Sequence, residues 1–443
     1  MTINRFTNSI LLSAIGDALG WMTEFSKSAE DVQKKYGEYP VSKFYAWSKF
    51  CGSRFNGYLD EIAAGSYSDD TQLMLATARS ILPTRLVDHD YFAKRELPIW
   101  LDYKRGGGIT VSEAAKKIQR KSAAWNNNFF SFKRKEISTD YRDCGANGAA
   151  MRILPLALLN FDDLEKLYTD IFCNSIVTHG HPRAIIGAML YGYIIHLMLT
   201  QNLSGIELII HIGKNFGAVT LDEYNKLCNL PELAIWFKMW ESIGRDFSKE
   251  FAVVLEEVIS LLRDCYLALK NDSNLFVLFE SLGVFNPDTK GSGIVTVIAA
   301  LMVNCKYKDY KAGLIFAANL LGADTDSIAA FYGAMVGCSV DEKLDTEVFG
   351  VVQDKNYLLN VAKYLFEIRE NSVSSVIIKA TEVNNILHST NNDPREVFML
   401  PFGAGEIISS LKLSTISKSL FVVYEIIEFK IGQSLIKISR VTL

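Results

Sequence analysis

Apolar residues recur through most of this chain with the spacing of a helix and with few breakers. "DTQLMLATARSIL" (Asp70–Leu82), "AIIGAMLYGYIIHLML" (Ala184–Leu199), "FAVVLEEVISLLRDCYLAL" (Phe251–Leu269) and "SGIVTVIAALMVN" (Ser292–Asn304) are the clearest runs. Several are apolar on most of their circumference, which places them at the centre of a large bundle. Gly and Ala recur where two helices could approach closely. The pattern predicts one all-α domain over residues 1–368. After "RENSVSS" (Arg369–Ser375) the texture changes to short β-branched runs, "SVIIKA", "EVFMLPF", "FVVYEIIEFK" and "SLIKISRVTL", separated by turn-rich stretches. Residues 375–443 are therefore expected to form a small β-rich appendage.

Two apolar runs invite a membrane reading and fail it. Asp17 interrupts "SILLSAIGDALGW", and no convincing small-residue cleavage site follows, so the N-terminus reads as a buried helix. Ala184–Leu199 is short for a bilayer span and contains His196, so it reads as a core helix.

The composition is that of a globular protein: 443 residues, 49% of them apolar and 22% charged. A formal charge of −4 argues against nucleic acid or an anionic membrane as partner. "KKIQRKSAAWNNNFFSFKRKE" (Lys116–Glu136) mixes basic residues with Trp125, Phe129, Phe130 and Phe132, a pairing that can bind nucleic acid. An exposed helix followed by an aromatic-anchored loop accounts for it better; an insertion that reads a modified protein is a third option. Seven scattered cysteines without a C-x-x-C imply reduced thiols and a cytoplasmic setting.

Two stretches carry chemistry. "SDDT" (Ser68, Asp69, Asp70, Thr71) and "DTDS" (Asp324, Thr325, Asp326, Ser327) each precede a helical run. Either alone reads as capping, since Ser and Asp accept hydrogen bonds from orphan N–H groups at a helix start. Two such starts that converge bring four carboxylates together. At about 4 Å and an effective dielectric near 20, each like-charged pair costs roughly 4 kcal/mol. Some carboxyls must then stay protonated, or cations must sit among them. Oxygen-only donors with no nearby cysteine favour Mg²⁺ or Mn²⁺ over zinc. "IGDALGWMTEF" adds Asp17 and Glu24 around Gly20. "CGANGAAMRILPLAL" packs small residues around Asn147 ahead of Arg152, and "VTHGHPRAIIGA" sets Thr178 and His179 before Pro182.

The ordered set "GDALG…E", "SDDT", "NGAAMR…P", "TH…P" and "GADTDSIAA…GA" resembles the ADP-ribosylglycohydrolase family across roughly residues 10 to 340. The resemblance implies an all-α domain with a dinuclear Mg²⁺ or Mn²⁺ centre that cleaves ADP-ribose from a modified protein, with arginine as the leading linkage. It implies metal ligation by Ser68, Asp69, Asp70, Asp324, Asp326 and Ser327, with Asp326 at the bridging, catalytic position. It assigns Glu24 to the metal centre and to proton transfer. Asn147, Gly148, Ala149, Met151 and Arg152 match the loop lining the ADP-ribose cleft, and His179 a histidine that contacts the ligand. Asp143 stands near the position of an acid used by some arginine-linkage relatives, one residue off in spacing. Met22 replaces a frequent proline, Ala146 and Ala323 replace frequent glycines, and Ser327 a commoner threonine. Two rival readings keep the fold: a binder of ADP-ribosylated targets or of an ADP-ribosylating toxin partner, and a hydrolase of a small ADP-ribose derivative.

Overall fold

The computed structural model describes residues 2–52, 56–134, 136–370, 395–399, 401–415 and 420–442. Helices dominate up to Arg369. The first, Ile3–Thr23, is buried around almost its whole circumference from Phe6 onward, as an all-round apolar sequence requires. It packs along Thr325–Ser339, and the two backbones nearly touch. A Cβ on Gly16 would lie 2.2 Å from the Ala329 carbonyl oxygen, and one on Gly20 2.3 Å from that of Thr325. From the other side, a Cβ on Gly333 would meet the Leu12 carbonyl at 2.2 Å, and one on Gly337 the Ser9 amide at 2.3 Å. Glycine stripes four residues apart on both helices thus set the interaxial distance.

Pro182–Gln201 runs through the middle of the bundle, buried along nearly all of its length. By length and composition it could cross a membrane, yet most of it is enclosed by protein. Its proline occupies the first turn, and the His181 ring accepts the Arg183 N–H at 3.0 Å as a cap. Gly187 faces Gly293 at the start of the helix Gly293–Lys306, where an added Cβ would lie 2.1 Å from the Gly293 carbonyl oxygen. All seven cysteines are unpaired.

Two short antiparallel hairpins interrupt the helices where an all-helical stretch was expected. Trp47–Cys51 pairs with Tyr58–Ile62, and Ser131–Arg134 with Ile137–Asp140. Period-2 alternation is visible in Tyr58–Ile62, which buries every second residue, but five residues are too few to stand out in the sequence. The aromatics of the basic stretch turn inward: Phe130 is buried against Tyr141 at 5.5 Å, and Trp125 lies 5.4 Å from His89.

The C-terminal strands Glu396–Met399, Gly403–Ser414, Leu420–Phe429 and Ser434–Thr442 form one antiparallel sheet in sequential order, with a bulge between Ile407 and Ser409. "SVIIKA", also read as a strand, lies outside the described residues. Phe402, Ile427, Phe429 and Leu435 join the hydrophobic core of the helices, so the sheet and the bundle share an interior. The Phe402 ring lies beneath the Arg79 guanidinium at 4.7 Å, while Arg79 pairs with the buried Glu96 at 2.7 Å and donates to Gln433 at 2.8 Å.

Gly16→Ala is expected to destabilise the protein by about 1–3 kcal/mol through overpacking, although alanine is the better helix former. Thermal unfolding would decide: an unchanged or raised midpoint would show that the two helices can separate at no cost.

Candidate metal and ligand centre

The close helix pair delivers the acids. Asp17 and Glu24 come from the first helix and its C-terminal end, and Asp324 and Asp326 from the start of the helix packed against it. The Thr325 hydroxyl donates to the Gly20 carbonyl at 2.8 Å and locks the two ends in register. Asp69 and Asp70 open a third helix, Asp69–Arg79. Asp17 reaches across to cap that helix: it accepts the Ser68 N–H at 3.0 Å, the Thr71 N–H at 2.9 Å and the Thr71 hydroxyl at 2.6 Å. The two acidic helix starts therefore meet, joined through the first helix. Ser327 closes the contact by donating its hydroxyl to Asp70 at 2.7 Å.

Glu24, Asp324 and Asp326 each present a carboxylate oxygen, all within 4.8 Å of one another. That spacing, with oxygen-only donors and largely buried acids opposite, fits a hard divalent cation. Capping does not explain it, because Asp324 holds the N-cap position without accepting any capping hydrogen bond. Ser68 does act as an ordinary cap, its hydroxyl accepting the Asp70 N–H at 3.3 Å, and it lies behind the cavity surface.

These acids form one wall of a cavity of about 560 Å³, within the range of small-molecule sites. Asn147, Gly148 and Met151, assigned to the ligand loop in the sequence, line another wall. Asn147 donates to Asp324 at 3.0 Å, and its loop is held by an N–H bond to the Gly291 carbonyl at 2.9 Å. Arg152 and Ala149 do not face the cavity. Arg152 is buried beneath the loop, donating to the Gly148 carbonyl at 2.7 Å and to the Asn174 side chain at 2.8 Å, with Phe92 against its guanidinium at 5.0 Å. It braces the loop from behind.

His179 does line the cavity. Its Nδ1 shares a 2.7 Å hydrogen bond with the Thr178 hydroxyl, and its Nε2 is buried without a protein partner. Burial and the nearby Arg152 charge hold its pKa well below the ordinary value, so the ring is neutral. Asp143 stands outside the cavity lining, half-exposed and paired with Arg245 at 2.7 Å. The structure does not bring it to the acids.

Several wall residues escaped the sequence reading. Gly106 and Gly107 adopt left-handed backbone (φ 86° and 85°), and a Cβ on Gly106 would lie 2.5 Å from Asp69 Oδ1. Gly107 donates its N–H to that same carboxylate at 2.6 Å. "KRGGGIT" (Lys104–Thr110) looks in sequence like a phosphate-loop fragment, but no "GKS" or "GKT" follows, which sets it aside as a site. Phe25 and Lys49 stand at the mouth, the ammonium 3.6 Å from the ring centroid. Lys49 comes from the hairpin, whose position over the cavity has no local sequence signature.

Burial first, and the mutual repulsion of the acids second, raise every carboxyl of the cluster: Asp17 to about 6, Asp69 to about 7, Glu24, Asp70 and Asp326 well above the usual range. Asp324 is raised mainly by burial.

Comparisons with known proteins give the family. The ADP-ribosylglycohydrolase family model matches residues 1–373, and the chain belongs to that family. It is 27% identical over 374 residues to an uncharacterized protein of Archaeoglobus fulgidus, covering 82% of this chain and 96% of the relative. It is 24% identical over 198 residues to the ADP-ribosyl-[dinitrogen reductase] glycohydrolase of Rhodospirillum rubrum, covering 44% of this chain and 58% of the relative. A solved chain described as an ADP-ribosylglycohydrolase-related protein complex shares the fold at a TM-score of 0.50 and 17% identity, covering 83% of this chain and 98% of its own.

Without cations, the folded chain holds protons that the unfolded chain has released. The stability they contribute is complete below the unfolded carboxyl value of 3.8 and is lost as pH rises through about 6 for Asp17 and about 7 for Asp69. Mg²⁺ or Mn²⁺ should therefore raise the melting temperature more at about pH 8 than at about pH 5, where protons compete for the same oxygens. Equal increments at both pH values would contradict this electrostatic account.

Proposed function

We propose that this chain is a divalent-cation-dependent ADP-ribosyl hydrolase that removes mono-ADP-ribose from a modified protein, with arginine as the modified residue and the cytoplasm as its setting. The convergence of Glu24, Asp324 and Asp326 within 4.8 Å carries this reading, because three close carboxylates facing a cavity are costly to fold unless a cation uses them. Membership of the glycohydrolase family supplies the substrate class. The cluster also speaks against a role confined to capture, which has no need of so many buried acids.

Hydrolysis adds water across the bond between ribose C1″ and the target: C1″ gains the water oxygen, and the departing nitrogen gains a proton. Two divalent cations, Mg²⁺ or Mn²⁺, held by Asp69, Asp70, Asp324 and Asp326 with Glu24 and Ser327 beside them, would supply Lewis acidity at the ribose hydroxyls. The chain's own groups do the rest. Glu24, at the cavity surface beside Asp324 and Asp326, is placed to relay a proton between the water and the leaving atom. Neutral His179 offers Nε2 to the ligand, its ring held in place through Nδ1 by the Thr178 hydroxyl. Asn147, tethered to Asp324, links the ligand loop to the acids by one hydrogen bond. Gly106 and Gly107 let backbone approach without side chains in the way.

ADP-ribosyl-arginine and ADP-ribosyl-serine conjugates, supplied with Mg²⁺ or Mn²⁺, should separate the readings. Release of ADP-ribose from the arginine conjugate, abolished by a strong chelator and restored by the cation, is the expected result. Tight binding without release would establish the binder instead, and release from the serine conjugate alone would reassign the linkage. Asp326→Ala should abolish cation binding by calorimetry; binding that survives unchanged would remove the proposed centre.

A further inference from the structure

Arg105 directly precedes the glycine loop and is almost fully buried at 4% exposure. The two N–H groups of its Nη2 are shared among Asp60 at 2.7 Å, the Glu61 carbonyl at 3.1 Å and the hydroxyl of Tyr424. Tyr424 completes the circuit: its hydroxyl donates to the same Asp60 carboxylate at 3.1 Å, and its ring lies 5.6 Å from the guanidinium. Asp60 sits on the hairpin directly opposite Lys49, which faces the cavity. The Arg105 amide is tied to Gln72 at 3.2 Å, on the helix that Asp69 and Asp70 begin. One buried guanidinium therefore joins the glycine loop, the hairpin and the C-terminal sheet. The strand that supplies Tyr424 lies beyond residue 373, where the family match ends.

We infer that Arg105 and Tyr424 form a brace through which the C-terminal sheet holds the glycine loop and the hairpin against the cavity, making Tyr424 a positioning residue for the ligand. Two observations favour a brace over passive packing. A buried guanidinium that loses an oxygen partner must recruit another or shift, because removing one member of a buried charged network is costly. Among the described residues, Nε and Nη1 of this guanidinium are buried without a partner, so once the Tyr424 hydroxyl is gone only the hairpin contacts to Asp60 and the Glu61 carbonyl, and none to the C-terminal sheet, hold it. The shift would pass straight to Gly106 and Gly107, whose backbone meets Asp69. A sheet that looks like an addition to the family fold is thus wired to the wall of the site.

The ligand half of this inference rests on the proposed function; the brace itself does not, and Tyr424→Phe tests both in the full-length chain. Phenylalanine keeps the ring and its packing and removes only the hydroxyl. Amide hydrogen exchange should accelerate roughly tenfold over residues 104–110 and 58–62 while Pro182–Gln201 keeps its wild-type rate. With Mg²⁺ present, ADP-ribose should bind about tenfold more weakly by calorimetry, and hydrolysis should show a raised KM with kcat changed less than about twofold. Ile408→Ser, on an exposed position of the same sheet, should match wild type in each measurement. Wild-type exchange in the loop and hairpin of Tyr424→Phe would overturn the brace, as would uniform acceleration that includes Pro182–Gln201. Failure of the wild-type chain to bind ADP-ribose would instead remove the functional reading, and the exchange rates would still decide the brace.

Discussion

The backbone contact between Ile3–Thr23 and Thr325–Ser339 is the constraint on which the site depends. Residues three hundred or more positions apart supply the two ends of the acidic cluster, and only a near-touching helix pair brings them together. Gly16 and Gly20 on one helix, Gly333 and Gly337 on the other, leave no Cβ between the backbones. The polar groups exposed by such an approach are satisfied locally, as in the Thr325 hydroxyl bond to the Gly20 carbonyl. Any side chain in this seam would push Asp324 and Asp326 away from Glu24.

That geometry sets up an electrostatic conflict which the chain resolves only in part. Asp17 is neutralised structurally, by two N–H groups and a hydroxyl that cap the opposing helix start. Asp69 takes the Gly107 N–H, and Asp70 the Ser327 hydroxyl. Asp324 takes the Asn147 amide and Asp326 the Ser327 N–H, and with Glu24 they are the three whose oxygens converge. Asp17 thus builds the frame, while Asp69, Asp70, Glu24, Asp324 and Asp326 line the cavity and can engage what enters it.

The C-terminal sheet has a closer relation to the bundle than its composition suggests. Its inner aromatics share the core, and its polar side chains reach Arg79, Arg105 and Asp354; Ser434 donates its hydroxyl to Asp354 at 2.6 Å. These contacts lie behind the cavity and along one flank, so the sheet supports the site without lining it.

The helices were legible because burial on every side imposes unbroken apolar runs, and the acidic helix starts because carboxylates are rare beside such runs. Glu24, Asn147 and His179 could be picked out by their neighbours, whereas Asp143 and Arg152 were picked out too and turn elsewhere, one to Arg245 and the other beneath the ligand loop. A residue type and its spacing state what chemistry is available but not which way a side chain points. The sequence by itself determined the helical class, the change to strands near the C-terminus and the supply of clustered acids, since each is written in local periodicity or composition. Tertiary structure alone decided that the acids converge, that Lys49 and the glycine loop complete the wall, and that a distant tyrosine braces it, because those contacts join segments whose local patterns carry no record of one another.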